Sequence, residues 1–251
     1  MSGPTENAAK NTHQTVEEVL LDSDLTADSS ARKVLDVPCG EGAFTARLMK
    51  RGVQVVPADI VDIFQVPGNS SLTLFDMDQP FPFEDEFFTD IVCIDGIEHI
   101  ERQFNFVREC NRTLKINGTF IVSTPNISSA RSRWRYFLTG HHNYCKNPLN
   151  EKDVTPLHHK NMISFPELRY QLHTNGFQIE SVTTNRVKPV SWVYAWFYPI
   201  SYLVSRAVYM REEKDIGQQE RNLDITKAMF SRAVYFGDLL IVSARKIADT
   251  A

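Results

Sequence analysis

The sequence predicts an α/β fold in which helices cover both faces of a doubly wound, mostly parallel sheet with an antiparallel last strand. Between residues 34 and 123, short apolar runs alternate with segments of helical periodicity. Alternation at this interval is typical of parallel sheets. The run at residues 90–94 is almost continuously apolar, as expected for a strand covered on both faces. Because several runs end at an acidic residue, we expect one edge of the sheet to collect carboxyl groups.

Caps, turns and periodicity divide the chain into elements. Gly52 closes an early helix, and Ser164 with Pro166 opens a later one. Asn117 and Gly118 are expected to form a turn before the fifth strand. The predicted strands are the run that ends at Asp36 and residues 53–58, 72–75, 90–94, 119–123, 177–184 and 233–244, and the predicted helices are residues 15–25, 43–50, 101–114 and 164–175.

Length and composition indicate one elaborated domain. With 251 residues and 42% hydrophobic content, the chain can bury a sizeable core. Residues 31–251 are assigned to this domain, and residues 1–30 to an N-terminal tail with an amphipathic helix. Within that tail, residues 1–12 are expected to be disordered. Residues 211–221, rich in both charges, are expected to form an exposed connector.

Charge and cysteine content exclude several classes of protein. A net charge of -4 gives no general attraction to nucleic acid. The four cysteines form no Cys-x-x-Cys pair, which argues against a zinc site and against a disulfide framework. Residues 2–11 are polar and do not resemble a secretory leader, so a cytoplasmic location is expected.

The loop that follows the first strand is the main ligand-binding signal. Gly40 and Gly42 permit positive φ and leave no Cβ between a nucleotide-like ligand and the backbone at the start of a helix. The loop contains no lysine, which argues against a phosphate-binding P-loop. Thr45 occupies the position of the third glycine of a dinucleotide fingerprint, so an NAD-dependent oxidoreductase is a remote alternative.

Six sequence features occur in an order that resembles class I S-adenosylmethionine-dependent methyltransferases over about residues 31–182. They are residues 35–42 (LDVPCGEG), Asp59, Asp76 ahead of residues 80–83 (PFPF), residues 97–100 (IEHI), residues 114–118 (LKING) and residues 123–126 (STPN). The chain looks most like the small-molecule branch that includes ubiquinone-biosynthesis O-methyltransferases. Residues 124–159 are more loosely similar to MetW-type proteins. The resemblance implies a Rossmann-like fold, methyltransferase activity and S-adenosylmethionine as cofactor.

The same resemblance implies roles for the acids at the strand ends. Asp59 would accept the ribose hydroxyls, and Asp76 with Met77 would face the adenine. Asp36, Gly40 and Gly42 would line the methionine portion. The carbonyl of Asp95 would close the opposite side of the site. These roles agree with the chemistry of the cofactor, whose diol, amine and ammonium groups are donors beside a sulfonium cation.

The catalytic candidates lie after the fourth strand and near the end of a later insertion. Glu98 and His99 lie beside the methyl group in the family fold, and His99 is a candidate base for an acceptor hydroxyl. Whether this pair also holds a divalent ion is open. His158 is a third candidate because it precedes the helix that begins at Ser164. The paired histidines at residues 141–142 and 158–159 do not by themselves predict a metal site.

Residues 126–160 are interpreted as an inserted substrate cap. This insertion has an excess of four positive charges in a negative chain, which favours an anionic acceptor. Aromatic side chains in the same stretch could cover an apolar or ring-shaped group. The candidate substrate-binding residues are Asn126, Arg131, Trp134, Arg135 and Tyr144.

The aromatic-rich segment at residues 189–209 has several polar residues and is interrupted by Pro199, so no membrane-spanning helix is predicted there. Aromatic rings with polar tips suit a membrane interface, a lid or a dimer face. A peripheral membrane contact and an amphiphilic acceptor are therefore expected.

The predicted function is methylation of a small molecule, at oxygen rather than nitrogen or carbon. The main alternative is a non-catalytic protein of the same fold that binds the cofactor or an enzyme partner. Pro38 stands where the family usually has glycine and removes a backbone donor, but the turn is interpreted as competent to bind the cofactor, with an inactive relative left open.

Overall fold

The structure, a computed structural model, describes residues 4–22, 32–67, 71–144, 148–153, 155–211 and 213–250. The strands are β1 (Lys33–Asp36), β2 (Gln54–Asp59), β3 (Thr73–Leu74), β4 (Phe88–Ile94), β5 (Leu114–Pro125), β6 (Phe177–Thr183) and β7 (Leu239–Lys246). The α-helices are α1 (Thr12–Asp22), α2 (Ala43–Met49), α3 (Gln103–Thr113), α4 (Ala130–Thr139), α5 (Phe165–Thr174), α6 (Tyr198–Arg211), α7 (Ile216–Met229) and α8 (Arg232–Phe236). Two 3-10 segments, Ile97–His99 and Pro189–Phe197, complete the regular structure of these residues.

The strands form one seven-stranded sheet in the order β3-β2-β1-β4-β5-β7-β6. The pairs from β3 through β5 are parallel. Strand β7 is antiparallel to both of its neighbours, β5 and β6. This topology confirms the predicted doubly wound, Rossmann-like sheet with an antiparallel last strand.

The sheet separates two hydrophobic layers. Adjacent strand residues point to opposite faces, so that Val34 joins one layer and Leu35 the other. Helices α1 and α2 cover the first face, with Leu20 and Leu48 fully buried there. Helices α3, α5 and α8 cover the second face. Because β1, β2 and β4 are parallel, their carboxyl ends lie at one edge of the sheet.

Three local predictions about the chain after α3 are wrong. The predicted strand at residues 233–244 begins only at Leu239, because Ser231 caps helix α8 through the Val234 N–H. The predicted turn at Asn117 lies within β5, where it accompanies a shift of register against β4. Residues 216–221 of the predicted connector belong to α7, which Asp215 caps by accepting from the Gln218 N–H at 2.6 Å.

The N-terminal tail is also more ordered than expected in its described part. The Thr5 N–H donates to Glu41, and the Lys10 carbonyl accepts from Asn185. Thr12 is buried and begins α1 rather than ending a disordered tail. The last residues of the predicted helix at 15–25 lie outside the described residues.

Helix α5 begins as predicted. Ser164 accepts from the Glu167 N–H, and the Glu167 carboxylate accepts in return from the Ser164 N–H at 2.9 Å. This reciprocal cap satisfies two donors that a helix start otherwise leaves free. It also fixes the end of the insertion at residues 126–160.

Replacing the capping hydroxyl tests this contribution to stability. We expect Ser164→Ala to lower the free energy of unfolding by about 1 kcal/mol, the usual cost of losing an N-cap. Urea unfolding followed by circular dichroism measures it. Ser205→Ala removes a hydroxyl from the interior of α6 and should cost nothing, since alanine favours helix. Equal stability of the Ser164 variant and the wild type would contradict the assigned cap.

Candidate active site

The turn after β1 presents backbone at the sheet edge. Gly40 and Gly42 have φ of 55° and 89°. A Cβ at Gly42 would collide with the side chains of Phe64 and Val66, whereas a Cβ at Gly40 would meet no described atom within 4 Å. The turn is therefore closed on one side and open on the other. The open side has room for an atom of the size of a Cβ against the backbone; that a ligand binds there stays a prediction.

Asp36, at the end of β1, is buried beneath this turn. Its Oδ2 accepts a hydrogen bond of 2.6 Å from the Thr45 hydroxyl on α2. Burial raises the pKa of Asp36 to about 7, although the Thr45 hydrogen bond opposes the shift. Thr45, which replaces the third glycine of a dinucleotide fingerprint, thus orients the Asp36 carboxyl group.

Asp59 links the end of β2 to the glycine turn. One carboxylate oxygen accepts from the Gly40 N–H at 2.8 Å, and the other accepts from the Val61 N–H at 3.1 Å. A carboxylate has about four lone-pair sites, so both oxygens keep capacity for further donors such as a diol.

The loop after β3 is fixed by Asp78, a residue that none of the sequence motifs includes. Asp76 accepts from the Asp78 N–H, and Met77 packs against the core. Asp78 in turn accepts from the Glu101 and Arg102 N–H groups just before α3. Asp78 therefore holds the loop that carries Asp76 and Met77 against the next element.

The end of β4 approaches the glycine turn closely. Asp95 has a φ of 48°, and Ser123 Oγ on β5 donates to its carboxylate at 2.7 Å. Burial raises the pKa of Asp95, and the negative charge of Asp238 adds to the shift. A Cβ at Gly96 would collide with Pro38. Pro38 is thus packed against Gly96, which explains how the turn accommodates the departure from the family pattern.

Glu98, His99 and His159 meet beneath the insertion. Glu98 is fully buried, and the Thr124 hydroxyl donates to its Oε2 at 3.0 Å. Burial and the neighbouring Asp95 raise the pKa of Glu98. His99 Nδ1 lies 3.0 Å from the His158 carbonyl oxygen, and the His99 and His159 ring centroids are 4.8 Å apart.

The tautomer of His99 follows from its partner. A carbonyl oxygen only accepts, so Nδ1 carries the proton and the lone pair of the neutral ring is on Nε2. Burial lowers the pKa of His99, which keeps this neutral form at physiological pH. His158 contacts His99 through its backbone carbonyl, and His159 supplies the neighbouring ring. The catalytic role predicted for the His158 ring stays a prediction.

The same three side chains could hold a metal ion. One ligand atom each from Glu98, His99 and His159 lies within 4.8 Å of the others. Glu98 Oε1 and His159 Nδ1 are buried without a hydrogen-bond partner among the residues that the structure describes. Glu98, in the turn after β4, thus supplies the acidic ligand that the paired histidines lack near them in the sequence. The prediction of no metal stays a prediction.

A second cluster of charged residues was missed because it depends on the position of β7. Asp238 precedes β7 and lies next to the end of β5. Arg186 and Lys188 pair with its carboxylate at 3.0 and 2.6 Å. Burial alone would raise the pKa of Asp238, but the hydrogen bonds from Lys188 and Arg186 and the positive charge of Lys188 outweigh it, and the pKa is lowered.

The predicted substrate residues have different environments. Tyr144 lies beside Asp238, and Arg131 lines the same small pocket together with Asn126. The Asn126 amide nitrogen donates to three backbone carbonyls around α8, so its donors hold the fold. Trp134 packs on Phe197 with ring centroids 4.9 Å apart. Arg135 lies on α4 and is half-buried.

Not every basic residue of the insertion is available to an anion. The Arg133 guanidinium donates to the Ser128 carbonyl at 2.7 Å and lies over the rings of Phe230 and Tyr235. It stabilises the packing of α4 instead. Lys146 lies outside the described residues.

The sheet order, the glycine turn after β1 and the acid at the end of β2 define the class of S-adenosylmethionine-dependent methyltransferases. A family model described as a methyltransferase domain matches residues 9–182, and the chain belongs to this family. S-adenosylmethionine is the cofactor of the class. Membership in this family removes the dehydrogenase alternative.

Curated relatives match part of the chain. A ubiquinone biosynthesis O-methyltransferase of Pseudomonas syringae is 28% identical over 115 residues, which are 41% of this chain and 48% of the relative. A probable S-adenosylmethionine-dependent methyltransferase of Mycobacterium tuberculosis is 33% identical over 101 residues, 39% of this chain and 37% of the relative. The chain thus spans about half, or less, of the length of these relatives.

Solved structures share the fold over nearly the whole chain. A SAM-dependent methyltransferase from Archaeoglobus fulgidus has a TM-score of 0.57 at 15% identity and covers 93% of this chain and 92% of its own. A methyltransferase from Mesorhizobium loti has a TM-score of 0.52 at 15% identity, with coverages of 92% and 96%. At such identities the similarity shows the fold alone.

Asp59 offers a test of cofactor binding. Asp59→Asn keeps an oxygen for the Gly40 N–H but replaces the other oxygen, which accepts from the Val61 N–H, by an N–H₂ donor. We expect the affinity for S-adenosylhomocysteine, measured by calorimetry, to fall about tenfold or more, because a diol donor would lose its partner. Asp62→Asn, an exposed charge in the same loop, should bind as the wild type does. Unchanged binding by the Asp59 variant would remove Asp59 from the cofactor site.

Proposed function

We propose that the protein transfers a methyl group from S-adenosylmethionine to a hydroxyl oxygen of an anionic or amphiphilic small molecule. The observation that carries this proposal is the neutral His99. Its protonated Nδ1 is fixed on the His158 carbonyl beside buried Glu98. This arrangement leaves Nε2 as a base at the edge where the glycine turn and the end of β4 meet.

The residues at this edge suit the cofactor chemically. Asp36, Gly40 and Gly42 would line the methionine portion, with Asp95 on the opposite side. Asp59 would accept the ribose hydroxyls, and Asp76 with Met77 would face the adenine. Carboxyl groups that lack a Lys or Arg partner favour a ligand that is rich in donors and carries positive charge. When bound, S-adenosylmethionine supplies a methyl carbon activated by sulfonium.

His99 would take the acceptor proton. The hydroxyl proton passes to the Nε2 lone pair while the oxygen forms its bond to the methyl carbon. Glu98, neutral because its pKa is raised, would place no ionic charge beside the ring that becomes cationic. His158 holds the ring through its carbonyl, and its own side chain remains a proposed contact.

The acceptor would lie on the side of the site that carries basic residues. Arg131 lines the small pocket with Tyr144 and Asp238. Arg186 and Lys188 share the single carboxylate of Asp238, which leaves this cluster positive. Trp134 and Arg135 on α4 would extend the binding surface. The positive charge of this cluster would therefore favour an acceptor with a carboxylate, a phosphate or an ionised phenol.

A non-catalytic protein that binds S-adenosylmethionine is the alternative. Its cofactor residues would be the same, and only the base would be dispensable. Replacement of His99 therefore distinguishes the two functions.

We expect His99→Gln to lower kcat/KM by about a hundredfold or more, with unchanged affinity for S-adenosylhomocysteine. In the wild type, the neutral histidine is active. Activity should therefore be lost only as pH falls through the pKa of His99, which lies below the ordinary value of about 6.5. The pH–rate profile of the variant should lack this loss of activity at low pH. Rates across pH, with a panel of phenolic and lipid acceptors, measure this.

His173→Gln removes an exposed histidine on α5 and should keep both the rate and the pH profile. Full activity of the His99 variant would exclude His99 as the base. Absence of turnover in the wild type with every acceptor, despite cofactor binding, would favour the non-catalytic alternative.

The basic cluster predicts which kinetic constant depends on acceptor charge. Arg131→Gln should raise KM about tenfold for an anionic acceptor and leave KM for a neutral analogue unchanged, because only the former loses a charged hydrogen bond. Lys152→Gln, an exposed charge of the same insertion, is the matched control. Steady-state kinetics on a paired anionic and neutral acceptor would reject the anion site if both KM values rose equally.

A further inference from the structure

Helix α6 presents an apolar stripe that no described residue covers. The helix has no buried residue. Its outward side chains recur at helical spacing and are more than half exposed: Ile200 62%, Leu203 65%, Val204 56% and Val208 62%. The stripe runs along one side of the helix.

The 3-10 segment directly before α6 in the chain also exposes large apolar side chains, including two indole rings. Trp192 and Trp196 are 51% and 65% exposed, and Val193 between them is 64% exposed. Together with the outward residues of α6, they form the α6 stripe. A surface of adjoining large apolar side chains on this scale marks an interaction site.

The inner side of the segment is firmly packed, so the stripe is a fixed surface. The Tyr198 and Tyr202 rings lie 5.3 and 5.2 Å from that of Phe230. The Tyr198 hydroxyl donates to the Phe230 carbonyl. Turning the stripe inward would break these contacts.

Charge selects the occupant. Residues 189–211 contain no aspartate or glutamate, whereas Arg206 and Arg211 lie on α6. A two-fold contact between copies would place these cations near their symmetry mates with no acid of the segment to pair them. Anionic lipid head groups complement both the cations and the indole rings.

The dimensions fit a helix that lies along a bilayer. Helix α6 has 14 residues, about 21 Å at the usual rise per residue, against about 30 Å of hydrocarbon. No helix among the described residues is long and apolar enough to cross a membrane.

We propose that the α6 stripe docks the protein on the surface of an anionic lipid bilayer. The apolar side chains and indoles enter the interface, and Arg206 and Arg211 contact head groups. A groove of about 270 Å³ lies between this segment and α4, lined by residues that include Trp134, Phe137 and Phe197. Docking would hold this groove at the lipid surface. The inference does not require the acceptor to be a lipid.

Co-sedimentation with vesicles tests the proposal on the full chain. The wild type should bind vesicles of phosphatidylcholine with phosphatidylglycerol, and bind those of phosphatidylcholine alone at least several-fold more weakly. Leu203→Glu should lower the partition coefficient about tenfold or more, because it replaces an inserted side chain by a charge. Arg206→Gln should lower it about fivefold and reduce its salt dependence.

Ile116→Glu is the matched control, since Ile116 is 43% exposed at the beginning of β5, away from the stripe. It should bind vesicles as the wild type does. Calorimetry with S-adenosylhomocysteine shows that each variant is folded, and this readout tests the cofactor site separately.

Three outcomes would overturn the proposal: no binding of the wild type to phosphatidylglycerol vesicles, equal binding by Leu203→Glu, or equal loss in Ile116→Glu. Light scattering supplies a fourth, since a wild-type dimer that Leu203→Glu converts to monomer would assign the stripe to a second copy of the chain.

Discussion

The candidate site depends on an accumulation of buried carboxyl groups that have hydroxyl partners instead of cationic ones. Asp36 is held by Thr45, Asp95 by Ser123 and Glu98 by Thr124. A hydroxyl satisfies the geometry of a carboxyl group but does not neutralise its charge, so burial raises the pKa of all three acids. A raised folded-state pKa means that ionisation opposes folding: stability is lost as pH rises from the unfolded values near 4 through the folded pKa values. A bound cation would offset this cost, which links the fold of the edge to the charge of its ligand.

The antiparallel β7 gives the other half of the site its character. It brings Asp238 beside the end of β5, where Arg186 and Lys188 from the chain after β6 can reach it. Asn126 secures this junction by donating to carbonyls at both ends of α8. The parallel strands therefore supply the acidic side, and the antiparallel addition supplies the basic side.

Local signals predicted much of this architecture because they act between neighbours in sequence. The Ser164 cap, the glycine turn and the apolar run of β4 each depend on a few adjacent residues. Residues 232–236 could not be assigned in this way, since a short apolar run fits a helix or a strand equally well and only the Ser231 cap and tertiary packing decide.

The candidate site, too, could be predicted from the sequence only in part. The acids at the strand ends could be predicted because β-strand topology places them. The contact of His99 with the His158 carbonyl joins residues 59 positions apart in sequence. Arg133 packs against the rings of Phe230 and Tyr235, which lie 97 and 102 residues later in the chain. Pairings of this kind depend on how the insertion folds over the sheet. No residue type or spacing in the sequence encodes them, so a count of positive charges in the insertion overestimates those that can meet an anion.

The separation of acidic and basic sides bears on the proposed chemistry. A cationic cofactor is favoured where Asp36, Asp59 and Asp95 collect, and an anionic acceptor where Arg131, Arg186 and Lys188 collect, so charge alone would sort the two ligands before they react. Attack of an ionised oxygen on a sulfonium methyl group cancels opposite charges. In a site shielded from water, that cancellation is favoured over the separated ions. Removal of the proton is then the step that needs a dedicated group. In the proposed function, a neutral histidine with its Nδ1 proton fixed on a carbonyl would meet that need at a pH where the surrounding acids are still partly protonated.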